Sequence, residues 1–277
     1  VGGGGAMPRP AEPHISGTTC TMLIDSHCHL DFPDFADDLP AVLARAEAAG
    51  VGQMVTIGTH LSRAASVLAL TERFPQVWCT IGVHPHHAAE ELAETTVDHL
   101  LAWSRRPKVI GLGETGLDYY RLKGDFEWQR ERFRQHIRAS RLSRKPLIIH
   151  TRSASEDTLR ILKEEGAAVQ DGGVAGVMHC FTEDWETASA ALDMGFYISF
   201  SGIVTFKSAQ SLREVAKKLK AKGHPIGQTL GHTFGDAPTF TYPYMWSWGG
   251  KEVDADGKTV VINSKETIES VKFMQGF

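Results

Sequence analysis

Short, nearly continuous runs of aliphatic and β-branched residues alternate along this chain with longer stretches in which apolar positions recur every three or four residues. The runs are "MLIDSHCH", "GQMVTIG", "VWCTIGVHP", "VIGLGETGLD", "PLIIHTR", "AGVMHCF" and "FYISFSG". Between them, Phe126, Phe133 and Ile137 mark one helical stripe, and Leu159, Ile161 and Leu162 another. Runs this apolar, each followed by a helical stretch, predict parallel strands buried on both faces and covered by helices. Seven such units from Met22 onward fall one short of a closed (β/α)8 barrel. The expected fold class is therefore α/β, a TIM-type barrel with seven of eight strands recognisable.

The chemically capable residues sit at the ends of the apolar runs and not at their starts. His27 and His29 close the first run, His84 the third, Glu114 the fourth, His150 the fifth and His179 the sixth. In a barrel these ends share one face, so residues more than a hundred positions apart converge there. His27 and His29, two apart on a strand, point to the same side and can reach one ion. Each histidine alone fits a structural or solvated role equally well; the conjunction of four with a glutamate points to a metal site. Imidazole mixed with carboxylate suits Zn, Mn or Fe better than Ca. Two ions sharing Glu114, one held by His27 and His29 and the other by His150 and His179, would acidify a water and clamp the oxygens of a phosphoryl displacement. The expected chemistry is metal-assisted hydrolysis, with Glu114 catalytic as the bridge.

Composition narrows this little. The 277 residues are 42% hydrophobic and 22% charged, with a formal net charge of −4, which shows no overall bias toward nucleic acid or anionic membrane. The four cysteines, Cys20, Cys28, Cys79 and Cys180, form no CxxC pair and read as reduced thiols of a cytoplasmic protein. No run approaches the roughly 18 apolar residues of a membrane span. Residues 1–21 lack the apolar core of a signal peptide and are expected to be a flexible leader. Arg121 to Lys145 holds nine Lys or Arg against three Asp or Glu. This is either a polyanion-attracting patch or, the favoured reading, the solvated face of one amphipathic helix.

Four motifs resemble the TatD family of metal-dependent hydrolases: "LIDSHCHLD" (23–31), "GVHPH" (82–86), "GETGLDYY" (113–120) and "PLIIHTRSASED" (146–157). "MHCF" and "FYISFSGIVTFK" continue the match, which covers about residues 22–218. The resemblance implies an amidohydrolase-superfamily TIM barrel, two divalent ions (Zn, Mn or Mg) and deoxyribonuclease-type hydrolysis of a phosphodiester, with DNA as partner and no membrane. By motif position it implies His27, His29, Glu114, His150 and His179 as ligands. His84 either contacts a substrate phosphate or is structural. Arg152 either binds phosphate or pairs with Glu156. Asp118 is expected to stabilise the loop after the fourth strand.

After the seventh strand and its helix the pattern departs from that family. The resemblance implies an eighth strand ending in an "ETDSP"-type motif whose aspartate completes the metal site, and no such motif follows. Residues 223–250 are instead rich in glycine and aromatics. They are followed by a hairpin pattern, "GKEVDADGKTVVIN", and a helical one, "SKETIESVKFM", with Ser264 as N-cap. Residues 214–277 resemble an interior piece of a periplasmic ABC-transporter sugar-binding protein, with a junction near Val215 to Lys222. Segment 219–277 is then a foreign tail and not an independent domain. A barrel lacking its eighth strand has open edges at the first and seventh strands, for which Thr259 to Asn263 is a candidate surrogate strand. The favoured reading is a TatD-type hydrolase of lowered activity. The alternative is a non-enzymatic chimera, either a metal-binding scaffold or a sugar-binding fragment.

Overall fold

The computed structural model describes residues 23–222, apart from 88–90, 92 and 121–123, together with 265 and 268. Seven strands are present: β1 (Leu23–Cys28), β2 (Val51–Ile57), β3 (Val77–Ile81), β4 (Val109–Asp118), β5 (Leu147–Arg152), β6 (Val177–His179) and β7 (Tyr197–Ile198). Each is followed by a helix: α1 (Leu39–Ala48), α2 (Ala64–Arg73), α3 (Val97–Ser104), α4 (Glu127–Ser143), α5 (Ser155–Glu164), α6 (Trp185–Asp193) and α7 (Gln210–Ala221). The strands lie in sequence order, every neighbouring pair parallel. A sheet whose strand order never reverses is wound in one sense and curls toward a barrel, as the apolar runs predicted. Among the described residues no helix is long and apolar enough to cross a membrane.

The main core lies between the sheet and the helices. Cys79, Ile81, Leu112, Leu117 and Ile149 from the strands meet Phe133 and Ile137 of α4 and Ile161 and Leu162 of α5. Burial of these side chains stabilises the fold by roughly 1.5–3 kcal/mol each. The charges on the outer face of α4 are balanced. Arg130 pairs with Asp125, Glu127 and Asp157, Arg134 with Glu164 and Glu165, and Arg138 with Glu131 and Glu165. These three arginines are paired with carboxylates; Arg121 and Lys123 of the basic stretch lie outside the described residues.

The expected junction near Val215 to Lys222 falls on α7, one continuous amphipathic helix whose Val215, Ala216 and Leu219 are buried. The expected leader, the sugar-binding-protein-like segment beyond Lys222, the hairpin and the surrogate strand at Thr259 to Asn263 lie outside the described residues.

Candidate metal centre

Three local features of the strands aim the ligands. The β4–β5 register shifts between Leu112 and Thr115, around Glu114, and the β1–β2 register shifts between Asp25 and Cys28, around His27. Such irregularities turn a side chain out of the regular alternation. Gly113 and Gly116, at φ of +141° and +135°, press β4 onto β5; a Cβ on either would collide with the carbonyl of Ile148 or His150. Beyond them His150 lies level with Gly116 on one side and with His179 on the other. The strand-end histidines and Glu114 thus meet on one wall of a cavity of about 1130 Å³.

Two groups of ligand atoms gather there, His27–Glu114–His179 and His84–Glu114–His150, each with its atoms within 4.8 Å of one another. Glu114 is buried, 5% exposed, and divides its oxygens between them. Oε2 stands 3.4 Å from His27 Nε2, while Oε1 is 3.2 Å from His150 Nδ1 and 3.6 Å from His84 Nε2. The grouping differs from the expected one of His27 with His29 and His150 with His179. Parallel neighbours β5 and β6 place His150 and His179 level, but His179 leans toward β1. Its ring stacks on that of His27 at 3.4 Å and 2°. His29 lies just past the end of β1, its ring edge-on to His27 at 5.2 Å. Its Nδ1 donates to the Ile57 carbonyl at 3.2 Å, which leaves Nε2 as the nitrogen able to bind a cation.

His84 is a second difference. Expected as a phosphate contact or a structural residue, it completes the second triad. It lies three residues beyond β3, on the loop to α3, where strand periodicity carries no information about direction. Arg152 is not paired with Glu156. Its guanidinium lies over the Tyr120 ring, 3.9 Å from the centroid, at the cavity wall.

Asp118 and His86 join the site without having been assigned to it from sequence. Asp118 is fully buried. Its Oδ2 accepts from His86 Nε2 at 2.8 Å and from His150 Nε2 at 3.0 Å, and its Oδ1 accepts from the Tyr120 N–H. Gln129 of α4 clasps the Asp118 backbone from behind. Its Oε1 accepts the Asp118 N–H, and its Nε2 donates to the carbonyls of Asp118 and Pro85. One and two turns along the same buried stripe, Arg132 donates to the Glu91 carbonyl and His136 Nε2 accepts the Val83 N–H at 3.2 Å. The loop carrying His84 and His86 therefore hangs on three buried polar residues of α4. The sequence signal was there to be read: Gln129, Arg132 and His136 share a stripe with Phe133 and Ile137.

Electrostatics separate the members of the site. Burial pushes the His84 imidazole down to about 3 against the pull of Glu114, and burial together with His27 pushes His179 down to about 4. Burial, with His27, also lowers His29. Neutral imidazoles are the form that binds a cation. For His150, burial acts downward, but the Asp118 and Glu114 carboxylates outweigh it and lift the group to about 9. Burial would raise Glu114, yet the bonded His150 and the neighbouring His27 imidazole hold it well below the ordinary carboxylate range. His27 Nε2 is buried with no hydrogen-bond partner. An unpartnered buried nitrogen costs roughly 1–3 kcal/mol, and a divalent cation shared with Glu114 and His179 would satisfy it. The donor set fits such an ion.

A family model described as TatD related DNase matches residues 24–223. The uncharacterized metal-dependent hydrolase YcfH of Escherichia coli is 44% identical over 199 residues, 71% of this chain and 72% of that one. YabD of Bacillus subtilis, likewise an uncharacterized metal-dependent hydrolase, is 39% identical over 202 residues, 72% and 76% of the two chains. Among solved structures, the TatD homolog YjjV of Escherichia coli matches with a TM-score of 0.66 at 25% identity, over 92% of this chain and 98% of that one. The phosphotriesterase homology protein of Escherichia coli, complexed with phosphate in its active site, matches at 0.55 and 15% identity over 93% of each chain, a likeness of fold alone.

Proposed function

The chain belongs to the TatD family of metal-dependent hydrolases, and from that premise we propose that it hydrolyses phosphodiesters, with DNA as the substrate class. The observation that carries the reading is the division of Glu114 between two histidine groups on one cavity wall. A carboxylate placed to bridge two divalent ions suits in-line displacement at phosphorus, where the ions supply Lewis acidity to the attacking and leaving oxygens. His27 and His179 would hold one ion, with His29 beside them, and His84 and His150 the other. Zn, Mn or Mg fits this mixed donor set.

The protein's own groups do the rest. Asp118 fixes His150 through Nε2, and Nδ1, beside Glu114, is the nitrogen that would meet the ion. Arg152, stacked on Tyr120 at the cavity wall, is placed to take a substrate phosphate oxygen, and Arg63 lines the same cavity. No eighth-strand aspartate motif follows β7 in the sequence, and Asp236, Asp254 and Asp256 lie outside the described residues. Turnover below that of a relative carrying the motif is therefore part of the proposal.

The test strips the purified chain with chelator, reloads it with Zn or Mn, and measures ion stoichiometry and DNA hydrolysis together. About two ions per chain with cleavage supports the reading. Glu114→Gln should lose both ions and lower hydrolysis roughly a thousandfold, the several kcal/mol that bound metal supplies. Two ions without cleavage of any phosphodiester would refute the substrate class, and no bound ion would refute the metal centre.

A further inference from the structure

Among the described residues, two carboxylates line the cavity, Glu114 and Glu183. Glu114 is engaged by the histidines. Asp118, behind them, is fully buried with Oδ2 bonded to His86 and His150. Glu183 is therefore the cavity carboxyl not committed to the imidazole cluster. It sits four residues beyond His179, just ahead of α6. The next residue, Asp184, caps that helix by accepting the Thr187 N–H at 2.8 Å. Glu183 Oε1 accepts the Ser153 N–H at 3.1 Å. Ser153 is three residues beyond His150 and adopts φ +53°, a left-handed conformation that turns the chain there. The loops that follow His150 on β5 and His179 on β6 are thus tied together by this carboxyl.

A carboxyl whose task is only to accept the Ser153 N–H serves best when ionised. Glu183 is partly buried, and burial raises its pKa above the ordinary value. Asp184 adds to the rise, while the Ser153 N–H, the Thr182 hydroxyl and His150 oppose it. Its setting therefore favours the protonated form more than an exposed glutamate's does, the direction that suits a proton donor.

We propose that Glu183 is a catalytic residue, the general acid that protonates the leaving oxygen. This rests on the hydrolase reading above. In the step, a bond forms between phosphorus and the oxygen of water, and the bond from phosphorus to the leaving oxygen breaks. The Glu183 proton passes to that oxygen. The proton shed by the water restores the carboxylic acid by way of solvent. The products are an alcohol and a phosphate monoester.

The experiment compares two esters of thymidine 5′-phosphate, methyl and p-nitrophenyl, on the metal-loaded full chain. Glu183→Gln keeps the oxygen that Ser153 bonds and removes the acidic proton. It should retain about two ions and lose about 100-fold or more in kcat/KM on the methyl ester, whose leaving group needs a proton. On the p-nitrophenyl ester, whose leaving group departs unaided, the loss should stay below about threefold. Glu183→Asp, still an acid, should regain at least about tenfold over the glutamine variant on the methyl ester alone. Equal losses on both esters, or none on either, would overturn the acid role and leave the hydrolase reading standing. A wild-type chain that holds two ions and cleaves neither ester would defeat the hydrolase reading, and the acid role with it.

Discussion

The two walls of the barrel are built to different standards. In β3, β4 and β5, Val77, Cys79, Ile81, Val109, Leu112, Leu117 and Ile149 are completely buried, and the seventeen residues of α4 cover them. At the opposite side, β1 exposes Ile24 and β7 exposes Tyr197, 54% and 71% accessible. The ligands follow their walls. His150 is gripped by two carboxylates, and His84 rides on a loop bonded to α4. His27 has no hydrogen bond at Nε2, and His179 has a stacked ring beside it. One half of the centre is held by the protein alone, whereas the other half is gathered but not satisfied. A cation bound there would complete it.

This contrast is broken most directly through stability. Phe133→Ala empties a fully buried site on the firm wall and should cost about 3–5 kcal/mol. Tyr197→Ala on the open side should change stability by less than about 0.5 kcal/mol, as exposed positions do. Guanidinium unfolding of the metal-free chain measures both. Comparable losses would mean that the open side is packed as tightly as the closed one.

The same contrast governs what could be read in the sequence. Buried parallel strands are continuous apolar runs, so all seven strands were legible, and "VIGLGETGLD" coincides with β4 from end to end. His27, His29, His150 and His179 stood out because each lies at or near the end of such a run; Glu114, expected at a strand end, stands inside β4, four residues before its last residue. What escaped depends on contacts that periodicity does not encode. The grouping of His27 with His179 arises where the sheet curls and brings first and sixth strands together. His84 acts from a loop. Asp118 read as a loop stabiliser, and its Oδ1 does accept the Tyr120 N–H. Its second oxygen serves His86 and His150, which only the packing of β4 beside β5 brings within reach. Gln129, Arg132 and His136 sit on a stripe otherwise apolar, and their reach to the β3–α3 loop depends on how α4 lies on the sheet.

His136 sharpens the comparison through pH. Burial pushes it down from 6.5 to about 4, although its Nδ1 proton is bonded to the Arg132 carbonyl. Between those two values the unfolded chain binds a proton that the folded chain refuses. Stability is therefore fully present above pH 6.5 and falls as pH drops toward 4. His84 and His179 act with the same sign on the other groups of the site, so the contribution of His136 is isolated by subtraction. In His136→Gln, whose amide oxygen still accepts the Val83 N–H, the stability advantage of the wild type should shrink by about 2 kcal/mol between pH 7 and pH 4.5. Denaturant unfolding at both pH values measures the difference, and an advantage that does not change with pH would show that His136 is not kept neutral by the fold.

The smallest effect tests whether the firm wall serves the metal centre or only the fold. Gln129→Leu fills the same space and removes the groups that clasp the Asp118 backbone and the Pro85 carbonyl. Asp118 then loses its fixed position, and His150 loses the partner that orients it. Removing support of this kind weakens metal binding by about 10-fold or more. The loss should fall on one ion alone, because His27 and His179 have no contact with α4 through Gln129. Titration of the chelator-stripped chain with Zn should show one unchanged step and one weakened about tenfold, roughly 1.4 kcal/mol. Equal weakening of both steps would mean that Gln129 acts through global stability, and the two halves of the centre would no longer be separable by the wall that holds them.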